Sequence, residues 1–260
     1  MKRTAVYVLQ IIFICIATTL LSVISVNSGS ASGDKNVALS SETVPSTEYI
    51  NKLKQSGLSA EKLLPALIKS MDSPNEVVRL TAIEAISELG PKGLPAIPTL
   101  IKALQDRDTL VRTAAIFVLA GLGPQSSSAT PELIKLLGDP NKNIREGASL
   151  ALEKTGPEVV TPLINVLKKG NGLEVEMATH TLAGIGKPAL PALLSELSSK
   201  DSISWKPASA ALAKMGAIPV DSLVKYLRGT DVLLAQRAQE TLIAIGAAAI
   251  PELTRALREK

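Results

Sequence analysis

A chain of 260 residues with one histidine, His180, and one cysteine, Cys15, has little from which to build a reactive centre. As a general base His180 would need a serine or cysteine nucleophile in reach, and no nucleophile motif accompanies it. As a zinc ligand it lacks a second histidine and any thiol partner, because Cys15 lies inside an N-terminal apolar leader. Glycine-rich phosphate cradles, HExxH and GxSxG do not occur. The reading is of a chain that is not an enzyme, with no catalytic residue, no metal ligand and no cofactor. His180 reads as a groove-lining or surface residue, and Trp205, followed by Lys206 and Pro207, as packing at a hairpin turn.

Charge recurs at intervals instead. Lys69, Lys102, Lys135, Lys225 and Arg255 share one equivalent position, interrupted by Asn165 and Ser195. Such a stripe is either a solvated face or an attraction to an anionic surface such as lipid head groups, where each basic residue adds about 1 kcal/mol. The net charge of +4 includes Lys2 and Arg3 beside the leader, and about +2 remains without them. Beyond the leader the aromatics are Tyr49, Phe117, Trp205 and Tyr226, too scattered to stack bases, so nucleic acid is not the expected partner.

These side chains must be placed by helices. Apolar residues are 46% of the chain and aromatics 2%, so the core is Leu, Ile, Val and Ala, a mix suited to close helix packing. Gly57, Gly90, Gly123, Gly156, Gly186, Gly216 and Gly246 are spaced by 33 residues three times and then by 30 three times. Pro65, Pro98, Pro131, Thr161, Pro191, Asp221 and Pro251 form a second ladder in phase with the first. The glycines suit left-handed C-caps. The prolines suit the first turn of a helix, where a missing N–H costs nothing. Between them each unit holds two helices, the first with pairs such as Leu67-Ile68, the second with apolar residues at helical spacing, such as Val78, Ala82, Ile86 and Leu89. One hairpin cannot bury its own apolar faces, so units must stack.

The segments LLPALIKSMDSPNEVVRLTAIEAISELG, AIPTLIKALQDRDTLVRTAAIFVLAGLG and ATPELIKLLGDPNKNIREGASLALEKTG resemble the bacterial HEAT-repeat family, including the HEAT-like repeats of phycobilisome lyases. The resemblance implies an all-α fold, a right-handed α-solenoid (an alpha-alpha superhelix) of HEAT-like helical hairpins. It covers about residues 46–260: a cap helix at 46–57, six repeats at about 58–249 and a half-repeat at 250–260. The family's Asp-then-Val-Arg signature appears as Asp72 with Arg79, Asp106 with Arg112 and Asp139 with Arg145, and implies a structural ladder along the turns that ties neighbouring units. The later units hold Val175, Trp205 and Ala235 at the arginine position.

In such solenoids the second helices line the concave face. Aligning units on the glycines makes Leu80, Ile83, Ile116, Phe117 and Leu150 an apolar cluster on that face, expected to bind another protein. A non-enzymatic interaction scaffold is the first functional reading. An enzyme or chromophore-handling factor of the lyase type is the alternative, and a membrane-surface binder through the basic stripe is a third.

Lys2 and Arg3 followed by an uncharged run from Ala5 to Val26 form an export signal, so residues 1–33 are expected to be a signal peptide or an N-terminal signal anchor. Both place the repeats outside the cytoplasm, in the periplasm or cell envelope. Residues 34–45 read as a flexible Ser-rich tether. Gly170-Asn171-Gly172 marks the weakest joint between helices.

Overall fold

A computed structural model describes residues 46–169, 172–199 and 203–258. The leader with Cys15, the tether and Gly170-Asn171 of the weak joint lie outside the described residues. Every regular element described is helical. Helix α1 (Thr47–Gln55) stands alone, followed by six hairpins. These pair α2 (Ala60–Ser70) with α3 (Glu76–Glu88), α4 (Ile97–Ala103) with α5 (Thr109–Leu122), and α6 (Thr130–Lys135) with α7 (Lys142–Thr155). Then come α8 (Val160–Lys169) with α9 (Gly172–Ile185), α10 (Leu190–Ser198) with α11 (Trp205–Lys214), and α12 (Val220–Leu227) with α13 (Val232–Ile245). A lone first helix, α14 (Ile250–Arg258), follows.

The chain is an all-α solenoid. Its second helices pack in one row, α1 on α3, α3 on α5, and so on to α13. Leu67, Leu100, Leu133, Leu163, Leu193 and Leu223 of the first helices are buried, and so are Val78, Ala82 and Ile86 of α3 and Val111, Ala115 and Leu119 of α5. The apolar core is one cluster running through all the hairpins. Each unit contributes too little alone, and the joint between units is where the burial accrues.

All seven ladder glycines have φ between 54° and 98°, the left-handed region where a Cβ would be strained. They end one hairpin and turn the chain into the next. Pro98, Pro131, Pro191 and Pro251 are the second residues of their helices. Pro65 departs from the expectation, since it sits inside α2. In that first unit the residues ahead of the proline wind as an α-helical turn, whereas after Gly90 and Gly123 the same length forms 3-10 segments, Gly90–Ala96 and Gly123–Ala129.

Side-chain caps start the second helices. Asn75 accepts from the Val77 N–H at 2.8 Å, Asp108 from Leu110 at 2.8 Å, and Asn141 from Asn143 at 2.9 Å. Each cap satisfies an amide that has no partner inside the helix. It also holds the second residue of the helix at the turn, a position that matters below.

Candidate functional site

The arginine ladder ties neighbouring units at one rung. Arg79 does not bond Asp72 of its own unit. Its Nε and Nη2 grip both carboxylate oxygens of Asp106 in the next unit, at 2.8 and 2.7 Å, while Nη1 caps the carbonyls of Ser73 and Pro74. Burial alone would raise the Asp106 pKa, but the Arg79 hydrogen bonds and charge outweigh it and hold the carboxyl below its usual range. Arg112 and Arg145 cap carbonyls at the same offset, those of Asp106 and Asp139, at 2.8 and 2.7 Å. In those two pairs the guanidinium serves the backbone instead of the carboxylate: Arg112 Nη2 donates to Thr109 Oγ1 at 3.2 Å, and the Nε of both arginines has no acceptor. The rung that crosses units by side chain is Arg79 to Asp106.

Where the fifth unit has Trp205 in place of an arginine, a residue the sequence reading missed fills the gap. Arg237 of α13 is buried, and its Nη1 donates to the carbonyls of Leu197 at 2.9 Å and Ser199 at 2.6 Å. Ser199 precedes Trp205 by the same six residues that separate Ser73 from Arg79. The carbonyl is therefore capped from the following unit. Beside it the buried Glu196 accepts from Ser204 Oγ at 2.6 Å and pairs with Lys168 at 2.7 Å. Two positions separate Arg237 from the expected arginine site at Ala235, which hid it from alignment.

The basic stripe is largely neutralised. Lys102 pairs with Asp72 and Lys135 with Glu132, each at 2.7 Å, and Arg255 pairs with both Asp221 and Glu252. Lys69 and Lys225 are exposed. Acids on or just after the first helices, one turn or one unit away, supply the counter-ions, so the positions line up without forming an unbroken cationic band.

The expected apolar cluster is corrected in two of its five members. Ile83 is 0% and Ile116 1% exposed, so neither faces solvent. Ile116 packs against the next second helix, where a Cβ on Gly147 would come within 3.2 Å of its Cγ2. The column that holds Ile83 and Ile116 is thus a buried seam between units. Further along, that seam turns polar: Ser149 bonds Thr181 at 2.8 Å and Ser209 bonds Thr241 at 2.7 Å, buried hydroxyl pairs each satisfied across a joint. Leu80, Phe117 and Leu150 are partly buried and remain at the surface of the second helices.

What the second helices and the turn before α11 do expose is a row of aliphatic residues that sequence reasoning passed over. Val77 is 51% exposed, Leu110 57%, Leu173 37%, Ile203 64% and Leu233 51%. Each stands thirteen residues ahead of the glycine that ends its unit, and Asn143 holds that position in the third unit. Val77, Leu110, Asn143, Leu173 and Leu233 are the second residues of α3, α5, α7, α9 and α13. A signal was present: in Val77-Val78 and Leu110-Val111 only the second residue is buried, since adjacent helical positions point a hundred degrees apart.

Acidic groups share this face. Burial raises the pKa of Glu84 and of Glu153, which Lys54 and Ser149 respectively only partly offset. Glu153 lies against Gly184 of the following second helix. Glu146 is partly buried, and Glu176 and His180 are exposed. Among the described residues no three metal-ligating side chains gather, and no helix is long and apolar enough to cross a membrane. Two shallow open grooves lie on the first-helix side, one along Ser127, Thr130, Pro131, Ile134 and Pro162, the other along Met71, Asp72, Thr99 and Lys102.

Comparison with known proteins agrees with the repeat geometry. The HEAT repeats model matches residues 97–183, and the HEAT repeat model residues 63–93. Among curated proteins nothing matches significantly. Of solved structures, the archaeal HEAT-like repeats protein from Thermococcus onnurineus NA1 is similar at 16% identity over 77% of this chain and 94% of its own, with a TM-score of 0.45. A designed armadillo repeat protein is similar at 19% identity over 70% of this chain and 100% of its own, with a TM-score of 0.39. An engineered protein is similar at 22% identity over 71% of this chain and 97% of its own, with a TM-score of 0.40. Its family matches fall on hairpins α2–α3 and α4 to α9, and these hairpins are HEAT repeats.

Proposed function

We propose that this chain is a non-enzymatic scaffold of the cell envelope that holds a segment of another protein along the exposed face of its second helices. The row of Val77, Leu110, Leu173, Ile203 and Leu233 carries the reading. Isolated exposed aliphatics are ordinary, but equivalent ones in five units form a line that a partner can cover. A stack of helices presents that line already ordered, so binding costs the scaffold little conformational entropy. The basic residues Lys2 and Arg3 and the uncharged run from Ala5 to Val26 support export, with the repeats on the outer side of the membrane.

Crosslinking capture from native envelope material tests this, with the wild type beside Leu110→Asp and Ile203→Asp. Both residues are exposed, so helicity should be unchanged by circular dichroism. A protein enriched by the wild type and lost with both variants is the expected result. Equal recovery with all three would discard the row as the binding surface.

A further inference from the structure

The exposed row has a period, and a period selects the conformation of whatever covers it. Packed second helices lie about 8–10 Å apart, so the row offers one aliphatic side chain at each such interval. A polyproline II helix has three residues per turn and rises about 3.1 Å per residue, so every third side chain falls on one face at about 9.3 Å. A β-strand repeats its face at about 6.6 Å and falls out of step after one unit. The same face carries Glu84 in the first unit, Glu146 and Glu153 in the third and Glu176 in the fourth, with Lys142 3.7 Å from Glu146 and with Phe117 and Leu150 between them. Resting on the scaffold reading above, we propose that the row receives a basic protein segment in the polyproline II conformation, with an aliphatic residue at every third position. Spacing fixes the register, and the glutamates select the charge. At the third unit Asn143 replaces the aliphatic, so the segment meets a polar rung there.

The test uses the full chain and three labelled synthetic peptides, read by fluorescence anisotropy. The first repeats leucine, proline and lysine five times. The second has the same composition with the leucines at irregular spacing. In the third, glutamate replaces lysine. The first peptide should bind about tenfold tighter than either control, the scale expected for burying leucines in register. Leu110→Ser and Ile203→Ser should each weaken it about fivefold or more. Asn143→Leu should tighten it severalfold by completing the row, a gain that no loss of folding can mimic. Equal binding of the spaced and irregular peptides overturns the polyproline II period, and equal binding of the lysine and glutamate peptides overturns the charge selection. A peptide with leucines every seventh position that outcompetes all three would assign the row to a helical partner instead. If no peptide distinction appears while envelope capture still depends on Leu110, the scaffold reading stands and this inference falls.

Discussion

The guanidinium of Arg237 lies 5.0 Å from the centre of the Trp205 ring, with the Lys206 ammonium 5.8 Å from the same ring. Trp205 and Arg237 belong to successive units, α11 and α13. In the first three units an arginine of the second helix closes its own turn. In the fifth, tryptophan takes the site and stacks the arginine of the sixth, which reaches back to the carbonyl of Ser199 at 2.6 Å.

Removing either partner should therefore loosen the joint between the last two hairpins. Arg237→Ala leaves the buried Leu197 carbonyl and the partly buried Ser199 carbonyl without their charged donor and should cost about 2–3 kcal/mol in urea unfolding. Trp205→Leu keeps an apolar side chain but loses the stacking. The two effects should be non-additive by about 1 kcal/mol in a double-mutant cycle. Strict additivity would show that the ring and the guanidinium act separately.

The Arg79–Asp106 rung should be the most costly ladder contact to break. Arg79→Ala strands a carboxylate whose side chain is 13% exposed, and a loss of about 3 kcal/mol is expected at neutral pH. Asp106 has a depressed pKa when folded, so its contribution is present above the ordinary aspartate value and fades as pH falls through the folded one. The gap between wild type and Asp106→Asn should accordingly narrow on acidification. A gap that stays constant from neutral pH to pH 3 would remove the ionic account.

Glu153 carries the opposite sign. Its folded pKa is raised by burial, so its stabilising share is complete below the ordinary glutamate value and is lost as pH rises through the folded one. Glu153→Gln should then raise the melting temperature at neutral pH and leave it unchanged in acid. A variant less stable than wild type at pH 7 would mean that the charge is engaged favourably.

Gly147 tests the seam. Alanine there gains about 1 kcal/mol of helix propensity, yet its Cβ would meet Ile116 Cγ2 at 3.2 Å. Ile116 is buried and β-branched, so it cannot swing aside, and Gly147→Ala should be destabilising by about 1 kcal/mol net. Adding Ile116→Leu, which moves the branch, should recover most of that loss. A stabilised single variant would show that the seam has room.

The repeat architecture was legible because its markers act locally. Glycine at a left-handed turn and proline in a first turn declare the backbone at their own positions, and seven glycines agree. Burial of Ile83 and Ile116 was not legible, since it depends on how closely the next second helix approaches, which a single helix's period does not encode. The same holds for Arg79: the signature implied a ladder tying neighbouring units, but that Asp106 is the carboxylate it meets is set by how the units stack. Arg237 was invisible for a different reason. It serves a neighbouring unit's turn from a position off the arginine column.

The change of spacing from 33 to 30 residues has its cause in the corners that follow the glycines. After the glycine, the 3-10 segments run six residues at 91–96 and 124–129, whereas Pro157–Val159 and Lys187–Ala189 run three. The difference in period is three residues, and a 3-10 helix completes one turn in about three. The corners thus lengthen in whole turns, so the following helix sets off in the same direction whichever length is used. Three residues inserted into Pro157–Val159 should leave the melting temperature nearly unchanged, whereas one should swing α8 by about 120° and break its registry with α9. The chain can be lengthened at these corners in fixed increments, as a screw is advanced by full rotations.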